Sequence, residues 1–390
     1  MSGEAMPEYL LEHARRSGDP GYIPLCVAEN HLVWDLLEEK AGAARGVPAQ
    51  AFAYDAMTGC RDFRARLARF MGRTFLGREP APEQIAVLAG AGSVLEILFY
   101  ALADAGDAVL VPTPSYAGFW MDLGLRDQLE IVPVERSAEG GYALTPALLE
   151  RAHQRSRRPV RALLVTSPDN PLGRVYSETE IDAVLAWAET VGIHVVFDEV
   201  YALSVFGRRP FTSVARRRSQ LGDRLHVVWA FSKDFAASGL RCGVLVSENP
   251  RVMAAVDGLA YWACCSGDTQ HLLGEMVADE RWVDRYVAVT RDRLGRAYRD
   301  VTGELAEGRV GFVPAGAGFF VLLDLRPFLS EPTWEAEHAL WWRLLEETGV
   351  NLTPGEALHA PEPGFARLCF AAVPTGLAVE GVRRMAALLR

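Results

Sequence analysis

Lysine is almost missing from this chain of 390 residues: among its 40 basic residues only Lys40 and Lys233 are lysines. The arginine bias itself fits a GC-rich genome and carries no functional message. Other shortages narrow the field further. No apolar run approaches the ~20 residues that cross a bilayer as a helix. The opening MSGEAMPEYLLEHARRSGDP has early acidic residues and no apolar signal core, so a non-secreted, cytoplasmic protein is expected. Positive charge is in deficit, and a net charge of −10 argues against a nucleic-acid partner. The six cysteines (Cys26, Cys60, Cys242, Cys264, Cys265 and Cys369) show no C-x-x-C pairing, which predicts reduced, buried thiols. The histidines have no metal-ligand spacing. His194 and His226 precede strands and read as structural, and no metal is expected.

Against this background the isolated Lys233 needs a reason. It lies in WAFSKDFAASGLRCG, Trp229 to Gly243, behind the apolar residues Leu225, Val227, Val228 and Trp229. Arginine keeps its charge under all conditions, whereas a buried lysine can shed its proton and act as an amine nucleophile. With Ser232 beside it and the anion-binding Arg241 downstream, Lys233 suits a Schiff base with a phosphorylated aldehyde.

The rest of the chain is read in order. Residues 8–17 predict a short helix, Ile23 to Val27 an extended run, and Trp34, Leu36 and Leu37 the start of an amphipathic helix, with Glu29 and Asn30 at the junction as caps or site residues. Tyr54 precedes a turn at Gly59 and a helix whose Phe63, Leu67 and Phe70 recur at helical spacing. The strand IAVLAG, a Gly-Ala-Gly-Ser turn and the helix VLEILFYALADAG then place the N–H groups of Ala91, Gly92 and Ser93 at a helix N-terminus, a ready anion site. A buried strand from Ala108 to Val111 leads to Tyr116. LEIVPV and VRALLVT read as strands, the latter ending in Ser167, Asp169 and Asn170. IHVVFDEVY ends in Asp198, Glu199 and Tyr201, and LHVVWAFSK ends in the lysine.

Strands alternating with helices predict an α/β fold with a mostly parallel, doubly wound sheet over residues 34–270. After Tyr261 short strands and helices mix, with helices over Thr269 to Glu280 and Trp282 to Tyr298. This predicts a smaller α+β domain over 271–390, joined by the N-terminal segment 1–33. Ligands of doubly wound sheets bind outside the carboxyl ends of the strands. Here those ends carry an anion-sized turn, an aromatic, an asparagine, an acid with a tyrosine, and the lysine. Their convergence matches what pyridoxal 5'-phosphate requires of a protein. Lys233 would bind its aldehyde and Asp198 would face the ring nitrogen. Asn170 and Tyr201 would reach the phenolic oxygen, and Tyr116 would stack on the ring. Arg241, Ser232 and the Ala91-Gly92 backbone would hold the phosphate. Released by substrate, Lys233 would become the base for the α-proton, given a lowered pKa.

SPDNPLG, VFDEVY and FSKDFAASGLRCG resemble the motifs of fold-type I pyridoxal phosphate enzymes of the class I/II aminotransferase family. IPLCVAENHLVWDLLEE, DAVLVPTPSYAGF, TQHLL, VNLTPG and EPGFARLCFA extend the resemblance over nearly the whole chain, towards 1-aminocyclopropane-1-carboxylate synthase. The resemblance implies the same cofactor roles, and adds Arg367 as the clamp for the substrate α-carboxylate. It makes Glu29 a residue near the substrate. It also implies a homodimer in which Tyr54 reaches the neighbouring subunit's phosphate. Four departures stand out. Ala230 replaces a serine three residues before the lysine, and Ala91 replaces a hydroxyl or glycine in the phosphate turn. Met57 replaces a tyrosine two residues before the turn glycine, and Phe119-Trp120-Met121-Asp122-Leu123 replaces Phe-Asp-Arg-Asp-Leu.

The expected activity is α-deprotonation of S-adenosylmethionine or a related amino acid, followed by elimination, replacement or cyclisation. An aminotransferase of amino acids is the alternative. A non-catalytic cofactor-binding regulator is the third reading, though the acidic chain shows no added DNA-binding domain.

Overall fold

The computed structural model describes residues 6–390. Seven strands build the main sheet: β1 (Ile85–Leu88), β2 (Ala108–Thr113), β3 (Glu130–Glu135), β4 (Val160–Thr166), β5 (His194–Asp198), β6 (Leu225–Ala230) and β7 (Gly243–Ser247). Their order is β1-β7-β6-β5-β4-β2-β3. Pairing is parallel from β6 through β5, β4 and β2 to β3, while β7 runs antiparallel to both neighbours. The mostly parallel sheet expected from the sequence is therefore present, with one strand reversed.

β2, β6 and β7 are buried along their whole length, as strands covered on both faces must be. Alternate residues feed the two sides. Val227 and Trp229 join a core with Phe63, Leu67, Ile181, Val184 and Leu272 from three helices. Val228 points the other way, into a layer with Val94, Leu98 and Val256. The helix Glu178–Val191 begins in a reciprocal cap between Ser177 and Glu180 and stops at Gly192, whose φ of 79° suits a residue without a Cβ.

A second core lies under a smaller antiparallel sheet of β8 (Gly311–Val313), β9 (Phe320–Asp324), β10 (Thr353–Pro354) and β11 (Phe365–Cys369), in the order β10-β11-β9-β8. The N-terminal segment contributes here. Ile23–Pro24 pairs in parallel with Val350–Asn351, and Tyr9, Ile23, Leu25 and Cys26 are buried with Phe320, Leu323, Trp341 and Leu368.

Three local expectations change. VNLTPG divides between two sheets around buried Leu352, since Val350–Asn351 pairs with the N-terminal segment and Thr353–Pro354 with β11. The helix expected to end at Tyr298 runs from Glu280 to Glu307, because Val301 and Leu305 continue its apolar face into the second core. The helix after β1 starts at Ala91, directly after Gly90, so the intervening turn is shorter than the sequence suggests. Among the described residues no helix is long and apolar enough to cross a membrane.

Candidate active site

The carboxyl ends of β4, β5 and β6 open onto a cavity of about 190 Å³. Ala91, Gly92, Tyr116, Asn170, Asp198, Tyr201, Ser232, Lys233 and Arg241 all line it. Nine residues singled out in the sequence thus share one space, drawn from six separate segments of chain.

Each is positioned by its element. Lys233 sits on the single turn Phe231–Asp234 that follows β6, and its Nζ donates to the carbonyl of Ala28 over 2.7 Å. Burial, with the nearby Arg367 guanidinium, lowers its ammonium to about 8. Asp198 ends β5, where burial raises its carboxyl to about 7 against a weak 3.4 Å bond from the Val200 amide. Tyr201 is held edge-on by Phe319 and Phe320, and burial keeps its phenol protonated. Asn170 Nδ2 lies 3.5 Å from the Tyr201 hydroxyl. Tyr116 stands at the mouth, 38% exposed and edge-on to Phe119.

The segments expected to cradle an anion approach each other closely. Gly90, φ 92°, caps the helix Ala91–Leu102, and a Cβ there would run into the Arg241 guanidinium. Arg241 itself adopts φ 45°, a left-handed conformation that costs a non-glycine residue about 1 kcal/mol or more. Its Nη1 donates to the Ser238 carbonyl over 2.9 Å. Ala230 lines the cavity too and supplies no hydroxyl.

Arg367, on β11, is 3% exposed. Its guanidinium donates to Asn170 Oδ1 (3.0 Å), the Cys26 carbonyl (2.9 Å) and Thr353 Oγ1 (3.2 Å). Glu29 accepts from Ser238 Oγ at 2.5 Å and pairs with His31 at 2.9 Å. The His31 bond, aided by Ser238 and by the charges of His31 and Lys233, lowers its carboxyl to about 2. Tyr54 stands apart: at 97% exposed it meets none of these residues within one chain.

Several contributors were not singled out in the sequence. Thr166, at the end of β4, puts a buried hydroxyl without a partner beside the cavity. Arg136 is almost fully buried. It donates to Asp169 and Tyr176 and, over 2.8 Å, to the carbonyl of Pro114, bracing both the Tyr116 and the Asn170 segments. A hydroxyl at a strand's carboxyl end was a usable signal for Thr166. Arg136 follows the half-exposed EIVPVE strand, where an arginine ordinarily faces water. Trp120 lies flat on His359, 3.4 Å and 12° between ring planes, and Met121 lines a second cavity of about 370 Å³ with Tyr9, Trp341 and Pro354.

These features suit a flat, anionic, aldehyde-bearing ring: an amine, a buried acid, a phenol with an amide, a helix N-terminus with a free arginine edge, and the unpartnered hydroxyl of Thr166. Comparison with known proteins agrees. Residues 24–385 match the family described as aminotransferase class I and II, and the chain belongs to it. It is an enzyme whose cofactor is pyridoxal 5'-phosphate. It is similar to 1-aminocyclopropane-1-carboxylate synthase 11 of Arabidopsis thaliana, 35% identical over 90% of this chain and 80% of that one. A 1-aminocyclopropane-1-carboxylate synthase of Malus domestica is 34% identical over 91% and 80%. The fold is that of aspartate aminotransferase. A Thermus thermophilus aspartate aminotransferase double mutant superposes with a TM-score of 0.85 at 24% identity, covering 100% of this chain and 97% of that one.

Proposed function

We propose that this enzyme removes the α-proton of S-adenosylmethionine or a related amino acid and completes an elimination, replacement or cyclisation. The carrying observation is the meeting of Lys233 and Asp198 in one cavity, with Arg367 bonded to the cavity's Asn170, in a chain 35% identical to a cyclopropane-carboxylate synthase.

Lys233 would hold the cofactor aldehyde, Asp198 its ring nitrogen, and Tyr201 with Asn170 its phenolic oxygen. Tyr116 would cover the ring. Ser232, Arg241 and the Ala91-Gly92 amides would take the phosphate. When bound, the cofactor withdraws electrons from the substrate α-carbon and so acidifies its proton. The protein's residues do the rest. Arg367, fixed by Asn170 and Thr353, offers the carboxylate a guanidinium whose buried Nε has no partner of its own. Lys233 Nζ, half in its neutral form at pH 8, takes up the α-proton. Glu29, ionised through the working range, keeps negative charge near Lys233.

Tyr54 has a place in this scheme only in a homodimer, where it would reach the phosphate of the partner subunit. Its exposure, together with that of Phe52, Tyr261 and Trp262, supports such a face. The Ala89 amide bonds the Ala263 carbonyl (2.7 Å) and the Val87 amide that of Thr58 (2.8 Å), so this face adjoins the anion cradle.

Incubation with S-adenosylmethionine and mass spectrometry of the products tests the reading. Release of methylthioadenosine at catalytic turnover supports it. Rapid amino-group exchange with common 2-oxo acids, without methylthioadenosine, would assign an aminotransferase instead.

A further inference from the structure

One carboxylate stands where an anion cradle should have none. Asp122, on the short helix Gly118–Gly124, lines the same cavity as Ala91, Gly92 and Arg241. Its Oδ1 lies 3.0 Å from where a Cβ on Gly92 would sit, so it overlooks the first turn of the helix whose amides face the cavity. Among the described residues it has no hydrogen-bond or ion-pair partner. The neighbouring Glu96 pairs with Arg126 instead.

We propose that Asp122 tunes cofactor retention: its carboxyl opposes the cofactor phosphate when ionised and donates a hydrogen bond to it when protonated. The proposal rests on the reading that the phosphate occupies the Ala91-Gly92-Arg241 cradle. The charged and titratable groups facing Asp122 are Glu96 from the helix above, Arg241 from the loop opposite, Asp198 from the end of β5, and Tyr116 from its own segment. Burial and Glu96 hold its carboxyl up at about 6, against the pull of Arg241. A phosphate monoester takes its second negative charge near the same pH, roughly 6. Both charges therefore build together as pH rises, and retention weakens from the acid to the alkaline side of that range.

The test titrates apoprotein with pyridoxamine 5'-phosphate, which lacks the aldehyde and so removes Lys233 chemistry from the readout, following tryptophan fluorescence. At pH 8, Asp122→Asn should bind it about tenfold more tightly than wild type, one unit of differential interaction. At pH 5.5 the two proteins should bind alike. Pyridoxamine, without phosphate, should show no difference at either pH. Equal or weaker binding by Asp122→Asn at pH 8 overturns the proposal. Glu96→Gln leaves Asp122 in place and should move the fall in affinity to lower pH. An unmoved profile also overturns the proposal. Arg241→Ala separates this failure from failure of the cradle reading: it should weaken the phosphorylated ligand alone, and an unchanged affinity would remove the cradle itself.

Discussion

Arg367 Nη1 donates to Asn170 Oδ1 over 3.0 Å, joining two residues 197 positions apart. The bond ties β11 of the smaller sheet to the loop after β4, so the arginine proposed for the substrate and the amide proposed for the cofactor hold each other in place. Arg367→Lys loses the planar fork and the shared bonds to Asn170, Thr353 and Cys26. Steady-state kinetics should show KM raised roughly 100-fold, from the ~3 kcal/mol upper range of a charged hydrogen bond, with the cofactor still bound. An unchanged KM would remove Arg367 from substrate binding.

Arg136 is a buried cation with a buried partner, Asp169. Removing one member strands the other in a low-dielectric interior, at a cost of about 3–5 kcal/mol. Urea unfolding of Arg136→Met should show a loss in that range, accompanied by weaker cofactor binding as the Tyr116 and Asn170 segments loosen. A loss below about 1 kcal/mol, the scale of a surface ion pair, would contradict this role.

The amine of Lys233 is the neutral species above its pKa, and burial has brought that pKa down to about 8. Its reaction rate with pyridoxal 5'-phosphate should therefore rise with pH and reach half its maximum near 8. An inflection close to 10.4, the value of a solvated lysine, would show that burial has no such effect.

Glu29 raises the Lys233 pKa by its negative charge. Glu29→Gln removes that charge without changing shape, so the half-maximum of the same profile should move to lower pH. A move to higher pH would reverse the sign of the coupling.

Tyr54 should be covered by a second copy of the chain. Sedimentation of the holoenzyme is expected to give twice the 42.8 kDa chain mass. Tyr54→Phe is expected to weaken cofactor retention without altering that mass. A monomer that retains the cofactor would remove Tyr54 from the site.

The residues at strand ends were readable because chemistry and position coincide there: a lysine, an acid or an asparagine just after an apolar run announces itself. The reversal of β7 was not readable. Gly243–Ser247 is buried throughout, and a fully buried strand looks the same in either direction. The extent of Glu280–Glu307 was hidden because its last turns are polar except for Val301 and Leu305, which matter only once the second core is known. Arg136 was missed for a related reason, since its partners Asp169 and Tyr176 come from a different strand end. Tyr54 does not join the residues gathered at the cavity, and its place depends on a surface rather than on the chain's own fold. Ser93, Glu29 and Arg367 also lie outside the cavity lining, the last two linked to it through Ser238 and Asn170.

The scarcity of lysine allows a decisive measurement. Borohydride reduction of the holoenzyme followed by peptide mass mapping fixes the cofactor to whichever lysine carries it, and there are two choices. Lys40 is engaged with Asp279 at 2.6 Å, away from the cavity. The cofactor mass is predicted on the peptide containing Lys233 alone. Its appearance on the Lys40 peptide, or on neither, would contradict the account.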